Sequence, residues 1–167
     1  IFSDKGKFVW VTPSDISDNG CFTETTRISC HNNNLKKDAV IFINRTSKGK
    51  KGEFVGISMF YDFTQFGLGH HNQGCYRLER YLKEDKIFVV AFFNSRITRK
   101  LCGNMCIGSK MKEMKINDFS KIPIPQFPDT IKNQIIKLYY NDVPNKIDIY
   151  KDEFLINEKS RNKNIGI

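Results

Sequence analysis

The sequence predicts an α+β fold, a single domain in which a mostly antiparallel, twisted sheet of about five strands carries packed helices. Three observations support this prediction. An unbroken apolar run of strand length stands at Ala39–Ile43. Apolar residues recur at three- and four-residue spacing in Lys86–Leu101, which is typical of one buried helical face. The length of 167 residues and the hydrophobic fraction of 40% indicate one domain with a substantial core.

The predicted strands occupy the first half of the chain. Lys7–Val11 is a short strand that ends at Thr12–Asp15, a turn or helix-cap signal. Phe22–Ser29 is mostly polar but rich in β-favouring Thr, which is typical of an edge or solvent-facing strand. Ala39–Ile43 is expected to be a central strand that is buried on both faces. Two further strands, Phe54–Phe60 and Gly74–Glu79, complete the predicted sheet.

The first predicted helix, Lys86–Leu101, is expected to end at Gly103, because Gly commonly stands just past a helix C-terminus. An apolar ladder follows, and then the stretch Ile122–Pro125, which is expected to be extended because each Pro disfavours helix in the residue before it. A second helix, Thr130–Tyr140, is predicted after Asp129 as its N-cap. The predicted buried face of the first helix consists of Ile87, Val90, Ala91, Asn94, Ile97, Thr98 and Leu101, and the ladder of Met111, Met114, Ile116 and Phe119.

The net charge of +9 favours polyanionic partners through phosphate contacts and counterion release. An alternative explanation is that the Lys-rich composition only solvates the surface. No apolar run approaches the roughly 20 residues that span a bilayer, and no secretory signal opens the chain, so we expect a cytoplasmic protein with no membrane partner.

Five cysteines, an odd number, argue against a disulfide framework and for a reducing compartment. Cys102 with Cys106, or Cys30 with His31, could be half of a zinc site, but no second pair stands at the spacing of a zinc finger. We therefore expect free cysteines packed as small hydrophobic residues, and no metal.

The residues Asn44–Gly52 form a basic loop between two predicted strands. Its cations and hydroxyls are suited to phosphate contacts, and the buried strand before it is a rigid base on which binding loops are commonly mounted. The alternative is a solvated hairpin turn. The candidate DNA-binding residues of this loop are Asn44, Arg45, Thr46, Ser47, Lys48, Lys50 and Lys51, and Thr25 and Arg27 on the predicted edge strand are added to them.

A second candidate group stands before the first helix. Asn and Gln can form paired hydrogen bonds with adenine in the major groove, and Arg can do so with guanine. The competing interpretation is a turn in which Asn72 bonds its own backbone and braces the chain. The candidate DNA-binding residues of this group are His70, His71, Asn72, Gln73 and Arg77.

The order of the motifs carries a family resemblance. An apolar helix is followed by Cys102-Gly103-Asn104, Lys110-Met111, Ile116, Phe119, the Ile122–Pro125 exit and an amphipathic helix. This order resembles the target recognition domain of a type I restriction–modification specificity subunit. Phe8–Ile16 is similar to the early strand and turn of that family, and His71–Leu78 is similar to its Asn-Gln segment. The resemblance covers residues 7–140.

The resemblance implies a non-catalytic module that reads duplex DNA. It implies a target recognition domain at 1–140, truncated at its N-terminus, and an extension at 141–167 toward a missing spacer helix. It also implies a partner modification subunit, which binds S-adenosylmethionine and methylates adenine, and a motor-nuclease subunit. The module itself would hold no cofactor. Because one such domain reads half of a bipartite target, it would pair with a second copy or belong to a longer subunit.

Two other functions remain open from the sequence. A metal-dependent nuclease would use His70-His71-Asn72 as an HNH-like fragment, or Glu113-Met114-Lys115 as an acidic-x-Lys pair, but three-residue matches arise by chance. A general basic nucleic-acid binder would need only the positive charge. No methyltransferase catalytic motif, P-loop or dinucleotide fingerprint is present in the sequence.

Overall fold

The computed structural model describes residues 6–17, 20, 22, 27–29, 32–49 and 52–139. The chain divides into two compact units, Ile1–Gln126 and Phe127–Ile167. The described residues have a mixed α/β fold with small, mostly antiparallel sheets, as the sequence predicts at this coarse level. The prediction of one sheet is wrong, because the strands among the described residues of the first unit are distributed over three separate sheets.

The first sheet has three strands in the order β2-β1-β6. Strand β1 (Phe8–Val11) pairs antiparallel with β2 (Arg27–Ile28) and parallel with β6 (Gly69–His71). A 3-10 turn, Pro13–Asp15, follows β1, and the Asp15 carboxylate accepts hydrogen bonds from the backbone N–H and the hydroxyl of Thr12. The turn or cap signal at Thr12–Asp15 is therefore a helix cap. Strand β2 lies at the edge of this sheet, as predicted.

The second sheet has the order β5-β3-β7 and is antiparallel throughout. Strand β3 (Ala39–Ile43) is its centre, and all five of its residues are buried, as the apolar run predicts. Strand β5 is Ser58–Tyr61, shorter than the predicted strand because residues 53–56 form a turn, and β7 is Cys75–Leu78. The main core joins the facing sides of the first two sheets and includes Val9, Val11, Ala39, Ile41, Ile43, Met59, Tyr61 and Cys75.

Helix α2 (Lys83–Asn94) covers the other face of β3 and β5. The Phe42 ring packs against the Phe93 ring at a centroid distance of 4.7 Å and against the Phe119 ring at 5.7 Å. Phe119 lies at the end of the short helix α4 (Ile116–Phe119). The predicted ladder is only partly buried: Met114 is enclosed, while Met111 and Ile116 are 47% and 55% exposed.

The prediction of one helix from Lys86 to Leu101 is wrong. Helix α2 ends at Asn94, and a separate helix α3 (Arg96–Met105) follows it. Ser95 joins them in an extended conformation and caps α3, because its hydroxyl accepts a hydrogen bond from Thr98 N–H at 3.3 Å. The break changes the buried face. Ile87, Val90 and Thr98 are buried as predicted, but Ala91, Ile97 and Leu101 are exposed, and Cys102 is buried in their place.

Gly103 lies inside helix α3 and does not end it, which also corrects the prediction. The helix continues to Met105, and the Cys106 N–H then donates to the Gly103 carbonyl. Gly is tolerated here because α3 has only two further residues after it, where the cost of its backbone freedom is small.

The predicted basic loop begins as a strand. β4 (Arg45–Thr46) pairs antiparallel with β8 (Lys112–Glu113) to form the third sheet. A short helix follows strand β5, where no element is predicted from the sequence. This is helix α1 (Phe63–Phe66), which Asp62 caps by accepting a hydrogen bond from Thr64 N–H. His70 and His71 lie in strand β6 and not in a turn.

The second unit contains helix α5 at residues 129–139. The Pro128 carbonyl accepts hydrogen bonds from Ile131 and Lys132, so the helix begins one residue before the predicted start and Asp129 is its first residue. Ile131 and Leu138 of the predicted apolar stripe are exposed within the structure. Among the described residues of the chain, no helix is long and apolar enough to cross a bilayer.

Candidate nucleic-acid interface

The base of the basic loop and the turn before β7 meet at one carbonyl group. The backbone N–H groups of Asn44 and Arg45 both donate to the Gly74 carbonyl, at 3.0 and 3.3 Å. This contact continues the β3–β7 pairing, in which Ile43 lies opposite Cys75. The basic loop and the group before the first helix are separate candidates in the sequence, and this contact brings them together in the structure. We call the contact among Asn44, Arg45 and Gly74 the Gly74 junction.

Asn72 holds the turn on the other side of the junction. Its side-chain Oδ1 accepts a hydrogen bond from Gly74 N–H at 2.9 Å, and its carbonyl accepts one from Cys75 N–H at 3.1 Å. Its own N–H donates to the Val11 carbonyl, which ties the turn to β1. Of the two interpretations of Asn72, the structure agrees with the turn, in which the Asn72 side chain bonds the neighbouring backbone. Gln73, next to it, is exposed.

Gly74 is needed here because of space. A Cβ atom at this position would lie 2.9 Å from Cγ of Pro13 and 3.1 Å from Oδ1 of Asn72. A proline ring cannot swing aside as a flexible side chain can, so any larger residue must displace the junction. The close approach of Pro13 therefore explains Gly at residue 74.

The loop beyond the junction carries cations against an aromatic ring. The Thr46 hydroxyl accepts a hydrogen bond from Lys48 N–H at 3.0 Å, and the Lys48 ammonium lies 4.5 Å from the centroid of the Phe54 ring. The Arg99 guanidinium lies 5.7 Å from the same ring, and its Nη2 donates to the Glu53 carbonyl at 2.7 Å. Ring contacts of this kind orient the two cations without neutralising their charge.

A second set of side chains forms a network around Arg77. The Arg77 Nε donates to the Glu79 carboxylate at 3.0 Å, and Lys37 contacts the same carboxylate at 3.2 Å. The Arg77 Nη1 lies 3.4 Å from Nε2 of His71. Arg77 is therefore held between an anion and an imidazole, which fixes the direction of an otherwise flexible side chain.

The hydrogen bonds of His71 specify its neutral form. Nδ1 lies 2.9 Å from the Asn72 carbonyl, so it carries the proton and donates, and Nε2 is left to accept from Arg77. Burial lowers the pKa of His71 below its ordinary value of 6.5, and the charges of Arg77 and His70 lower it further. The hydrogen bond to Asn72 opposes this shift without reversing it. A neutral imidazole at neutral pH is the result.

His70 stacks on Trp10. The two rings are 5.2 Å apart between centroids with an interplanar angle of 5°, and Nδ1 of His70 lies 2.6 Å from the Asn32 carbonyl. The neighbouring Asn34 side chain exchanges two hydrogen bonds with the His71 backbone, at 2.8 and 3.0 Å. These contacts fasten residues 32–35 along the edge of β6.

The remaining predicted residues are distributed as follows. Asn44 is only 3% exposed, and its side-chain Oδ1 is buried without a hydrogen-bond partner among the described residues. Ser47 and Lys48 are exposed, and Arg45 and Thr46 are half-buried. Arg27 lies on β2, across β1 from the strand that carries His70, and its guanidinium donates to the Lys7 carbonyl. Thr25, Lys50 and Lys51 lie outside the described residues.

Sequence reasoning missed the segment Asn33–Lys37 as part of this surface. A cleft beside Arg77 and Glu79 is lined by four residues of this segment, Asn33, Asn34, Lys36 and Lys37. The available signal was the pair Lys36-Lys37, which only Leu35 separates from three consecutive Asn residues. Lys112, opposite Thr46 in the third sheet, was missed as well.

The two metal hypotheses find no assembled ligand set in the part of the chain that the structure describes, which contains no group of three or more His, Cys, Asp or Glu able to hold a metal ion. Glu113 lies in the third sheet, and the His71 ring nitrogens are used by Asn72 and Arg77. Burial raises the pKa of Cys102 to about 12, and the Cys106 thiol donates to the Cys102 carbonyl. Cys30 and His31 lie outside the described residues.

No protein-family model matches this chain, and a comparison with curated proteins finds no similar sequence.

Proposed function

We propose that this chain binds duplex DNA sequence-specifically, as the target recognition domain of a restriction–modification specificity subunit. In this role it directs adenine methylation and restriction that partner subunits carry out. The chain itself performs no chemistry. Its cations hold the phosphates of the duplex, and its amide, hydroxyl and guanidinium groups read base edges in the grooves.

The observation that carries the proposal is the Gly74 junction. It mounts the basic loop and the Asn72-Gln73 turn side by side at one end of the buried strand β3 and its neighbour β7. Recognition of a duplex requires positioning contacts and base-reading contacts at fixed distances from each other. Two loops that share one backbone acceptor on a buried sheet meet this requirement.

The distribution of side chains is consistent with this division of work. Lys48 is a phosphate-positioning group, since it is exposed and oriented by the Phe54 ring. Gln73 and Arg77 are the base-reading candidates, since both are exposed and lie on either side of the short stretch 74–76. Arg77 is held by Glu79 and His71, and so loses little conformational entropy on binding guanine.

The family resemblance supplies the partners in this proposal. The modification subunit binds S-adenosylmethionine and methylates adenine within the site, and a motor-nuclease subunit cleaves unmodified DNA. A single domain of this kind reads half of a bipartite target, so a second domain, in another copy or in the same longer subunit, reads the other half.

The experiment is enrichment of a random duplex library on the purified chain, with and without magnesium, at moderate salt. The proposal predicts one short enriched duplex that is recovered intact under both conditions. Equal recovery of unrelated duplexes, with a steep loss of binding at higher salt, would indicate a general basic binder and overturn it. Magnesium-dependent nicking would indicate a nuclease and overturn it as well.

A pair of variants sharpens this experiment. Arg77→Gln removes a base-reading group and should lower the preference for the enriched duplex over an unrelated one by about tenfold or more. Lys100→Gln removes the same charge from the exposed side of α3 and should leave the preference unchanged. An equal effect of the two substitutions would show that only net charge matters, against the proposal.

A further inference from the structure

A cleft of about 340 Å³ lies beside the Arg77 network. It is lined by Asn33, Asn34, Lys36, Lys37, Arg77 and Glu79. This volume falls at the lower end of the range for small-molecule sites. Three cations and one carboxylate give the cleft a surplus of two positive charges.

The walls of the cleft are held in place from both sides. Asn34 pairs with the His71 backbone through both atoms of its side-chain amide. Leu35 exchanges two backbone hydrogen bonds with Gly69, at 2.9 and 3.0 Å. On the opposite wall Glu79 holds Arg77, and Lys37 bridges the walls by contacting Glu79. The cleft is therefore organised before any ligand arrives, which lowers the entropic cost of binding.

Asn33 is the feature of this cleft that requires explanation. The residue is 9% exposed, and its side-chain Oδ1 is buried without a hydrogen-bond partner among the described residues. A buried acceptor of this kind costs about 1–3 kcal/mol unless a donor reaches it. Because Oδ1 has less than 1 Å² of accessible surface, the Asn33 amide must turn toward the cleft for a ligand there to satisfy it.

The cations of the cleft indicate that its ligand also carries a negative charge. Lys36 is exposed and makes no ion pair with any residue that the structure describes. The contacts of Arg77 with Glu79 and His71 leave further guanidinium N–H groups available. An anion such as a phosphate suits this pair of groups.

We propose that the cleft binds one unpaired nucleotide, with the base edge on the Asn33 amide and the phosphate on Lys36 and Arg77. An amide can pair with a base edge through one donor and one acceptor, but only where that edge is not already engaged in a base pair. The nucleotide can come from a free monophosphate or from a single strand. This proposal goes beyond duplex recognition and does not depend on it.

The test is calorimetric titration of the purified chain with dAMP, deoxyadenosine, deoxyribose 5-phosphate and inorganic phosphate. We expect dAMP to bind about tenfold more tightly than either half of the molecule, because each half loses one set of contacts. A short single-stranded oligonucleotide and the same strand in a duplex form two further arms. Tighter binding of the single strand than of dAMP identifies a strand as the source, and equal binding identifies the free nucleotide.

Two variants assign the contacts. Asn33→Leu should reduce the affinity for dAMP to that for deoxyribose 5-phosphate, while stability stays the same or rises because an unpaired buried acceptor is removed. Arg77→Gln should lower the affinity for dAMP toward that for deoxyadenosine, with Lys36 left as the one cation on the phosphate, and this variant tests the proposal even if Asn33→Leu does not fold. Lys100→Gln is the control and should bind dAMP like the unmodified chain.

Three results would overturn the proposal. One is no difference between dAMP and inorganic phosphate, which would describe a phosphate contact only. Another is unchanged dAMP binding in Asn33→Leu. The last is an equal loss of affinity for the duplex and for the single strand in Asn33→Leu, because only an unpaired base can pair with the Asn33 amide. Duplex selection is measured separately by library enrichment, so the failure of this proposal and the failure of duplex recognition are distinguishable.

Discussion

The side-chain amide of Asn94 forms two hydrogen bonds with the backbone of Ser58. Its Oδ1 accepts from Ser58 N–H at 2.9 Å, and its Nδ2 donates to the Ser58 carbonyl at 2.8 Å. Ser58 begins strand β5 and is fully buried, so the amide takes the place of a neighbouring strand at this point. The contact joins the end of helix α2 to the sheet and stands where the helix stops.

Asn94→Ala should lower the free energy of unfolding by about 2–3 kcal/mol, because it leaves a buried N–H and a buried carbonyl without partners. Chemical denaturation measures the change. Asn104→Ala is the matched control, since Asn104 is exposed on α3, and it should stay within about 0.5 kcal/mol of the unmodified chain. Equal losses in the two variants would mean that the Asn94 contact does not stabilise the fold.

The same contact explains why one helix was predicted and two are present. Apolar spacing continues past Asn94 to Leu101, so periodicity contains no sign of a break. The break depends on a bond between residues 36 positions apart, and on the Ser95 cap. The central strand Ala39–Ile43 was predictable for the opposite reason, because a strand buried on both faces is visible as an apolar run within five residues.

The candidate interface was likewise predictable only in part. The residue types of the basic loop and of His70–Gln73 are visible in the sequence, and both segments were predicted as candidates. Their meeting at Gly74 depends on strand register, which no local pattern contains. Asn34 joins the surface through hydrogen bonds with His71 on β6, which lies 37 positions away in the sequence. Separation into three small sheets depends on such long-range pairing too.

The pH dependence of stability should reflect His71. Its pKa in the folded chain is lowered, mainly by burial, from the ordinary value of 6.5 that applies when the chain is unfolded. Between these two values the unfolded chain binds the extra proton. Stability is therefore full above pH 6.5 and is lost as the pH falls from there toward the lowered pKa, with a slope of at most about 1.4 kcal/mol per pH unit for one proton.

Unfolding midpoints measured from pH 8 to pH 5 test this prediction, with His71→Gln as the comparison. Gln cannot take up the proton, so the slope between the two chains should differ below pH 6.5 and not above it. Parallel curves of the unfolding midpoint against pH for the two chains would exclude His71 as the source of the pH dependence.

The cysteines should differ in reactivity. Burial raises the pKa of Cys75 and of Cys102 to about 12, and the neighbouring Asp15 and Cys106 add to the respective shifts. At pH 8 a thiol with such a pKa is ionised to the order of one part in ten thousand, and the thiolate is the reactive form. Burial also raises the pKa of Cys106, but this side chain is only half-buried.

Brief alkylation of the native chain at pH 8, followed by peptide mass spectrometry, should modify Cys106 well before Cys75 and Cys102. Alkylation in denaturant should modify the three at similar rates and serves as the control. Modification of Cys102 as fast as Cys106 in the native chain would contradict the burial of Cys102 on the inner side of α3.

Gly74→Ala should weaken both the fold and duplex binding. The added methyl group would stand 2.9 Å from the Pro13 ring, and relieving this overlap should cost about 1–3 kcal/mol of the free energy of unfolding. Displacement of residue 74 also moves the carbonyl that holds Asn44 and Arg45. Gln73→Ala, at the exposed neighbouring position, is the control for stability and should change it by less than about 0.5 kcal/mol.

Glu79→Gln should strengthen non-specific duplex binding and reduce selectivity. The Glu79 carboxylate neutralises part of the charge of Arg77 and Lys37, at 3.0 and 3.2 Å. Its removal leaves two cations free to contact phosphates and releases Arg77 from the direction in which it would read a base. Each additional phosphate contact steepens the dependence of log affinity on log salt concentration by about 0.9.

Fluorescence anisotropy at several salt concentrations, with the enriched duplex and an unrelated duplex, measures both effects. Asp118→Gln is the matched control, because it removes one carboxylate from the exposed Lys121 pair and adds the same charge elsewhere. If both variants raise affinity equally and keep the same ratio between the two duplexes, then Glu79 acts only through net charge. If only Glu79→Gln lowers the ratio, then the Glu79–Arg77 pair orients the guanidinium for base recognition.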